Sequence, residues 1–254
     1  MASAVMAPLL IKVGGNDLDQ AGFVEALAEV IAQVQSRRPC VLVHGGGRAI
    51  SEIGQLFGLQ PSYVNGQRVT DAAALEVAEM VLSGKVNKEL VRALLQHGVD
   101  AQGMSGVDRG LLRVEPWAPE LGRVGRIVAV RAGVLLDLCA AGVVPVISPI
   151  SLGPDGAYNV NADHAAGAIA AAIGAAQAVF VTNVAGVQVN GTVAARLTAQ
   201  EVNALIQDGV ITGGMIPKVQ AALSALEAGV PRAVITNLAG LAAGGGTEFV
   251  AQRA

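Results

Sequence analysis

Cysteine is nearly absent. Cys40 and Cys139 each lie in an apolar segment and neither belongs to a C-x-x-C pair. The sequence therefore offers no disulfide framework, and buried free thiols in a reducing compartment are expected. Aromatics make up 3% of a chain that is 52% apolar, so its core must be aliphatic. Charge is sparse and nearly balanced, with a net of −3, which gives no general attraction to nucleic acid or an anionic membrane surface. The opening MASAVMAPLL lacks the basic stretch of a secretory signal. The longest nearly apolar run, 165–181, is Ala- and Gly-rich and contains Gln177. It reads as a buried helix plus the next strand, not a membrane span. A cytoplasmic protein is expected. No long polar linker, repeat or low-complexity tail interrupts the 254 residues, a length that suits one large α/β domain or two small ones.

What is present is an alternation. Apolar, β-rich runs at 9–13, 40–43, 143–148, 178–182 and 233–236 are followed by helical patterns at 22–35, 48–57, 71–97, 162–173, 198–207 and 218–228. Near-continuous apolar strands separated by helices predict an α/β fold with a mainly parallel sheet covered on both faces. Thr198 with Glu201, and Asp71, are helix-start signals. Two places break the alternation: a hairpin around Asn65-Gly66 within 63–69, and an antiparallel pair from 111–114 and 125–130. Two lobes, 1–150 and 151–254, are expected to share one continuous sheet.

Two strands run into glycine clusters, LLIKVGG at 9–15 and VLVHGGG at 41–47. In an open parallel sheet, ligands bind beyond the carboxyl ends of the strands. Glycine there allows close approach of a ligand to backbone N–H groups, and a helix N-terminus at Arg48 adds partial positive charge. Phosphate suits that combination; a tight turn without a ligand is the competing reading. The two common nucleotide motifs fail. A dinucleotide fingerprint from Gly45 meets Ile50 at its last position, and a Walker loop ending at Gly84-Lys85 meets Glu79 where glycine is required.

Lysine is rarer still than charge, only Lys12, Lys85, Lys88 and Lys218 among seventeen basic residues. Lys12 interrupts an otherwise apolar strand; it either serves an anion or snorkels from an edge strand. Lys218 follows Gly213-Gly214 at a helix start, where a cation opposes the helix dipole unless an anion is present. Asn159, Asn161 and Asp163 cluster at another helix start, where capping is the competing reading.

These residues resemble the amino acid kinase family, most closely its branch acting on N-acetyl-L-glutamate. The resemblance runs nearly full length through IKVGG (11–15), VHGGG (43–47), NGQRVTD (65–71), EVAEMVLSGKVNKELV (76–91), NVNAD (159–163), TNVAGV (182–187), GGMIPKV (213–219) and GTEF (246–249). It implies a three-layer αβα sandwich with a central, mostly parallel sheet of about eight strands. The N-terminal lobe would bind the amino acid and form the dimer, and the C-terminal lobe would bind ATP. The implied reaction is transfer of a phosphoryl group from ATP to the side-chain carboxylate of N-acetyl-L-glutamate, giving N-acetyl-L-glutamyl 5-phosphate, the second step of arginine biosynthesis. By the same resemblance Lys12 and Lys218 stabilise the transferring group, Asp163 orients both lysines, and Gly46, Gly47, Arg68 and Asn159 hold the substrate. Gly14 and Gly15, with Asn183, Val184, Ala185, Gly186, Val187 and Gln188 and with Ile211, Thr212 and Gly213, form the nucleotide site. Asn183 stands where many of these kinases carry aspartate. Eight residues precede Leu9, too few for the extra N-terminal helix of the arginine-inhibited hexameric members. A homodimer joined through the long helix beginning near Asp71, without that inhibition, is therefore expected.

The residues agree with this chemistry. A carboxylate nucleophile has a reference pKa of about 4.3 and is ionised at neutral pH, so no general base is needed. His97 reads as a helix-end residue, and His44 and His164 lack a Ser or Cys partner. What the reaction requires is cations and N–H donors around a phosphoryl group. Two lysines about 4 Å apart would repel by up to about 4 kcal/mol at an effective dielectric near 20, and an acid between them would offset this. Mg²⁺ would be held mainly by ATP and water, with no protein metal site. Arg68 offers a planar fork for a carboxylate, or is an exposed hairpin arginine. The alternatives are a sister kinase acting on an aminoadipate derivative, or a silent nucleotide-sensing subunit. Retention of Lys12, Asp163 and Lys218 together argues against the second.

Overall fold

A computed structural model describes residues 6–64 and 67–251. Its main sheet takes strands β1 (Leu9–Val13), β2 (Cys40–His44), β3 (Ala101–Gly106), β4 (Leu112–Pro116), β5 (Gly125–Val130), β6 (Val144–Gly153), β7 (Gly156–Asn159), β8 (Gln177–Val181), β9 (Arg196–Thr198), β10 (Ala233–Thr236) and β11 (Thr247–Val250). The helices that cover it are α1 (Phe23–Gln35), α2 (Gly47–Leu56), α3 (72–96), α4 (Ala132–Ala140), α5 (Ala162–Ala172), α6 (Ala199–Gln207), α7 (Met215–Glu227) and α8 (Leu238–Ala243). The strand order is β9-β11-β10-β8-β1-β2-β6-β4-β5, with β3 and β7 also paired to β6. Pairing is parallel except for β10–β11, β4–β5 and β6–β7.

The sheet thus has eleven strands rather than eight. Four of them, β3, β7, β9 and β11, fall outside the runs that the sequence marks as strands; β3 reads AQGMSG and is held by pairing along β6. The predicted antiparallel pair forms β4 and β5. Tyr63–Val64 pairs with Gln67–Arg68 as a two-stranded ribbon; the predicted Asn65-Gly66 turn lies outside the described residues.

Side-chain alternation along the central strands builds two cores. Leu10, Val41, Val43, Ala178, Phe180 and Ile235 pack with α4, α5 and α7. Ile11, Val13, Leu42, Val179 and Val181 pack on the other face with α1, α2 and α3. Because successive residues of a strand point to opposite faces, Lys12 shares the face of Leu10, that of α5 and α7. The strand β1 is also central, between β8 and β2, so Lys12 is not a side chain snorkelling from an edge.

Small residues set the spacing of the two helices beneath Lys12. Gly167 of α5 would place a Cβ 3.8 Å from that of Ala225 in α7, so the helix backbones approach closely. Asn161 caps α5 by accepting from the Asp163 N–H. Asp71 caps α3, and Thr198 with Glu201 forms the capping box of α6. The start of α7 is Met215, three residues before the predicted one. Lys218 therefore closes the first turn instead of opening it. Mid-way, α3 widens into a π-helical stretch, Met80–Val86.

Candidate active site

The two glycine clusters face one another at the carboxyl ends of β1 and β2. The Gly45 N–H donates to the Val13 carbonyl at 3.0 Å. A Cβ on Gly15 would stand 2.8 Å from the Gly46 Cα and from the Gly46 and Gly47 nitrogens. A Cβ on Gly46 would meet Leu82 of the π stretch at 2.7 Å. Glycine is required at residue 15 by packing of backbone on backbone, and at residue 46 a side chain would crowd the Leu82 side chain, before any ligand is considered. Beneath the loop, His44 is fully buried. Its Nδ1–H donates to the Gly45 carbonyl, and its Nε2 accepts from Asn87 of α3, whose amide also donates to Val146. Burial pushes the His44 pKa down to about 4, so the ring is neutral and pins the loop.

Lys12 forms an ion pair with Asp163 at 2.8 Å. Lys218, reaching up from α7, donates to the Thr182 hydroxyl at 2.7 Å, and Thr182 donates to Asn183 Oδ1 at 3.2 Å. Asp163 was expected to orient both lysines; the structure pairs it with Lys12 and gives Lys218 a neutral partner. A further acid lies here that the sequence pattern did not single out. Asp17, in the helical turn Gly15–Leu18, is buried. Burial raises its pKa, opposed first by attraction to Lys218 and then to Lys12. Asp17 thus adds a second carboxylate to the neighbourhood of the two lysines.

On the α2 side, Gly47, Arg68 and Asn159 line one cavity of about 360 Å³ with Asn16, Ser51 and Tyr63. Nη2 of Arg68 lies 2.7 Å from Ser51 Oγ, 2.9 Å from the Tyr63 hydroxyl and 3.1 Å from the Gly47 carbonyl. Its Nε and Nη1 carry no partner among the described residues. One edge of the guanidinium is thus anchored and the other is available. Asn159 donates to the buried Thr70 hydroxyl at 3.2 Å, leaving its amide oxygen open. Gln67 and Asn161 also line a second cavity, about 460 Å³, that reaches Asp163. At its margin His164 stacks on Trp117 at 5.1 Å, and burial lowers the His164 pKa.

The residues expected around a nucleotide occupy the loop after β8 and the turn before α7. Val187 and Ile211 are buried in the α5–α7 core. Their side chains hold these loops in place, which leaves backbone as the surface they can offer a ligand. The Val187 N–H donates to Thr247 Oγ1 at 2.9 Å, and Gly186 could not carry a Cβ, which would meet that hydroxyl at 2.6 Å. Gly213 has φ +52. Val184 and Ala185 sit in the loop with Asn183, Gln188 opens a short ribbon with Thr192–Val193, and the Thr212 carbonyl accepts from Met215. Asp17, Thr182, Ser51 and Tyr63 escaped the sequence reading. For Asp17 the available signal was an acid three residues after a strand-end lysine-glycine pattern.

The sequence model of the amino acid kinase family matches residues 8–237. The chain is 59% identical to an acetylglutamate kinase of Roseiflexus sp. (strain RS-1) over 96% of this chain and 94% of that protein. It is 50% identical to an acetylglutamate kinase of Geobacillus stearothermophilus over 90% and 89%. Among solved structures, smu.665 from Streptococcus mutans UA159 superposes with a TM-score of 0.83 at 29% identity, covering 96% of this chain and 98% of that one. N-acetylglutamate synthase from Neisseria gonorrhoeae, complexed with coenzyme A and N-acetyl-glutamate, gives 0.82 at 24% identity over 98% and 60%, a likeness of fold.

Proposed function

The chain belongs to the amino acid kinase family, and from that premise we propose that it transfers the γ-phosphoryl group of ATP to the side-chain carboxylate of N-acetyl-L-glutamate. It is a kinase with a carboxyl acceptor, and its product, N-acetyl-L-glutamyl 5-phosphate, belongs to arginine biosynthesis. The observation that carries the reading is Lys12, a cation in the central strand, paired at 2.8 Å with Asp163 beside two glycine loops that meet backbone to backbone at Gly15.

The residues divide the work as follows. Arg68 and Asn159 receive the α-carboxylate and acetyl-amino part of the substrate in the cavity above Gly47. The side-chain carboxylate then lies toward Lys12. A carboxylate oxygen attacks the γ-phosphorus; the new O–P bond forms as the bond to the bridging β,γ-oxygen breaks, and ADP leaves with that electron pair. Lys12, Lys218 and the N–H groups of the glycine loops meet the charge that develops on the phosphoryl oxygens. No proton is abstracted, consistent with a site whose one fully buried histidine is neutral and committed to the backbone. The loops at 183–188 and 211–213 hold the nucleotide, chiefly through backbone. Mg²⁺ would be carried by ATP itself and would supply charge neutralisation at its phosphates.

The lobes 1–150 and 151–254 would divide substrate from nucleotide. Exposed Met80 and Leu95 on α3 fit a homodimer joined along that helix. No helix among the described residues is long and apolar enough to cross a membrane, and both cysteines are free and buried, which suits a reducing cytoplasm.

The test is an assay with ATP, Mg²⁺, N-acetyl-L-glutamate and hydroxylamine, which traps an acyl phosphate as its hydroxamate. Hydroxamate with N-acetyl-L-glutamate, and little with free glutamate or N-acetyl-aminoadipate, is expected. ATP binding with no hydroxamate from any of the three acids would overturn the assignment.

A further inference from the structure

The two lysines are served unequally. Lys12 has an acid at 2.8 Å. Lys218 makes no ion pair among the described residues; its contact is Thr182, which leans in turn on the neutral amide of Asn183. Two ammoniums directed at one point repel, and a single acid bound to one of them leaves the other uncompensated.

Asp17 is placed to supply what is missing. Its side chain is buried at 5% exposure and makes no hydrogen bond or ion pair among the described residues. Its Oδ2 lies 2.9 Å from the point a Gly14 Cβ would occupy, and Lys12 Nζ lies 3.8 Å from the same point. Carboxylate and ammonium thus border the same glycine, where a side chain at residue 14 would crowd the carboxylate. Of the two lysines, Lys218 exerts the larger pull on this carboxylate. A buried carboxylate is retained without hydrogen-bond partners only at a cost in desolvation, and the two cations are what offset it.

Resting on the kinase reading, we propose that Asp17 is a second positioning acid of the phosphoryl-transfer site, set beside Lys12 at Gly14 and supplying the second negative charge that the lysine pair needs, while Asp163 holds Lys12 from the α5 side. Before ATP arrives, two acids balance two lysines. Polyphosphate must then compete with Asp17 for the lysines, so the residue favours turnover and opposes nucleotide affinity.

That opposition is the test. Asp17→Asn keeps the shape and removes the charge. The dissociation constant of a non-hydrolysable ATP analogue, measured by calorimetry at fixed Mg²⁺ and low salt, should fall about three- to tenfold, because the pocket becomes more positive. Over the same preparation kcat should drop about tenfold or more, by the scale of lost preorganisation, with KM for N-acetyl-L-glutamate unchanged. Gly14→Ala displaces the carboxylate while keeping its charge, and should lower kcat without tightening the analogue. Weaker analogue binding in Asp17→Asn, or an unchanged kcat, overturns the proposal; a merely structural aspartate would weaken both. Should the unaltered protein form no hydroxamate, the kinase reading fails on its own, and the analogue titration still decides whether Asp17 opposes phosphate.

Discussion

At the scale of single residues, the cost of a buried charge decides what a side chain is for. Lys12 keeps its ammonium in the middle of a parallel sheet at 14% side-chain exposure, against Asp163 at 28%. Replacing Lys12 or Lys218 by Met should lower kcat by about 10²–10³, the usual effect of removing one preorganised donor from a transition state. The melting temperature should change little, since both side chains keep partial solvent exposure. Hydroxamate turnover and a thermal melt check this together; near-normal turnover would remove that lysine from the chemistry. His44 makes the converse point. Its folded pKa of about 4 lies below the ordinary 6.5, so the unfolded chain takes up the proton first as pH falls. His44 therefore costs no stability above pH 6.5, and stability is lost progressively between 6.5 and about 4. By pH 4.5 the loss from this group is about 2–3 kcal/mol. Urea unfolding at pH 7 and pH 4.5 should show that His44→Gln loses less stability on acidification than the unaltered protein, by about that amount. Equal losses would mean the ring is not buried neutral.

At the scale of elements, the site is a meeting of backbones. Gly15 faces only backbone atoms of Gly46 and Gly47 at 2.8 Å, and backbone cannot swing aside as a side-chain tip can. Gly15→Ala should cost about 1–3 kcal/mol of stability and, by parting the two loops, most of the turnover. Gly133→Ala, in α4 with nothing within 4 Å of its Cβ, is the control and should be neutral or stabilising. A Gly15→Ala enzyme with full activity would separate loop packing from catalysis. The ribbon that carries Arg68 acts in the same way. Ser51 on α2 fixes one edge of the guanidinium at 2.7 Å, so Arg68→Ala should raise KM for N-acetyl-L-glutamate far more than it lowers kcat, because it grips a part of the substrate that does not react. An unchanged KM would refute that role.

What could be read in the sequence follows from the same distinction. Strands with continuous apolar β-branched runs, such as CVLVH, declare themselves, and so do the glycines and caps that end them. The strand AQGMSG does not, since pairing along β6 rather than its own composition makes it extended. Lys12 stood out as a charge in an apolar strand and Asp163 as part of a dense polar cluster at a helix start, whereas Arg68, ordinary in a hairpin, was marked only by the family resemblance. Asp17 and Thr182 were not, because an acid in a first helical turn and a threonine at a strand end are ordinary locally. Their meaning comes from Lys218, some two hundred residues further along for Asp17, and only the sheet order brings those three elements together.

At the scale of the whole molecule, the two lobes are joined more deeply than by a hinge. Every residue of β1, early in the chain, is in register with β8, from Leu9 opposite Gln177 to Val13 opposite Val181. The expected boundary at residue 150 falls inside β6, a strand buried from Val144 to Ser151. Each core likewise draws on both halves of the sequence, as where Val179 and Val234 pack with Ile11 and Leu42. Neither half can bury its apolar face without the other, so unfolding should be a single cooperative event. Leu42→Ala in β2 and Phe249→Ala in β11 both empty fully buried sites, and should cost about 2–5 kcal/mol each. Scanning calorimetry should show each variant melting earlier in one transition, with no residual second peak. If Phe249→Ala instead split the melt, leaving a peak at the original temperature, the nucleotide lobe would be an independent unit. The coupling of the Lys12 and Lys218 ammoniums would then rest on docking of two bodies rather than on one shared sheet.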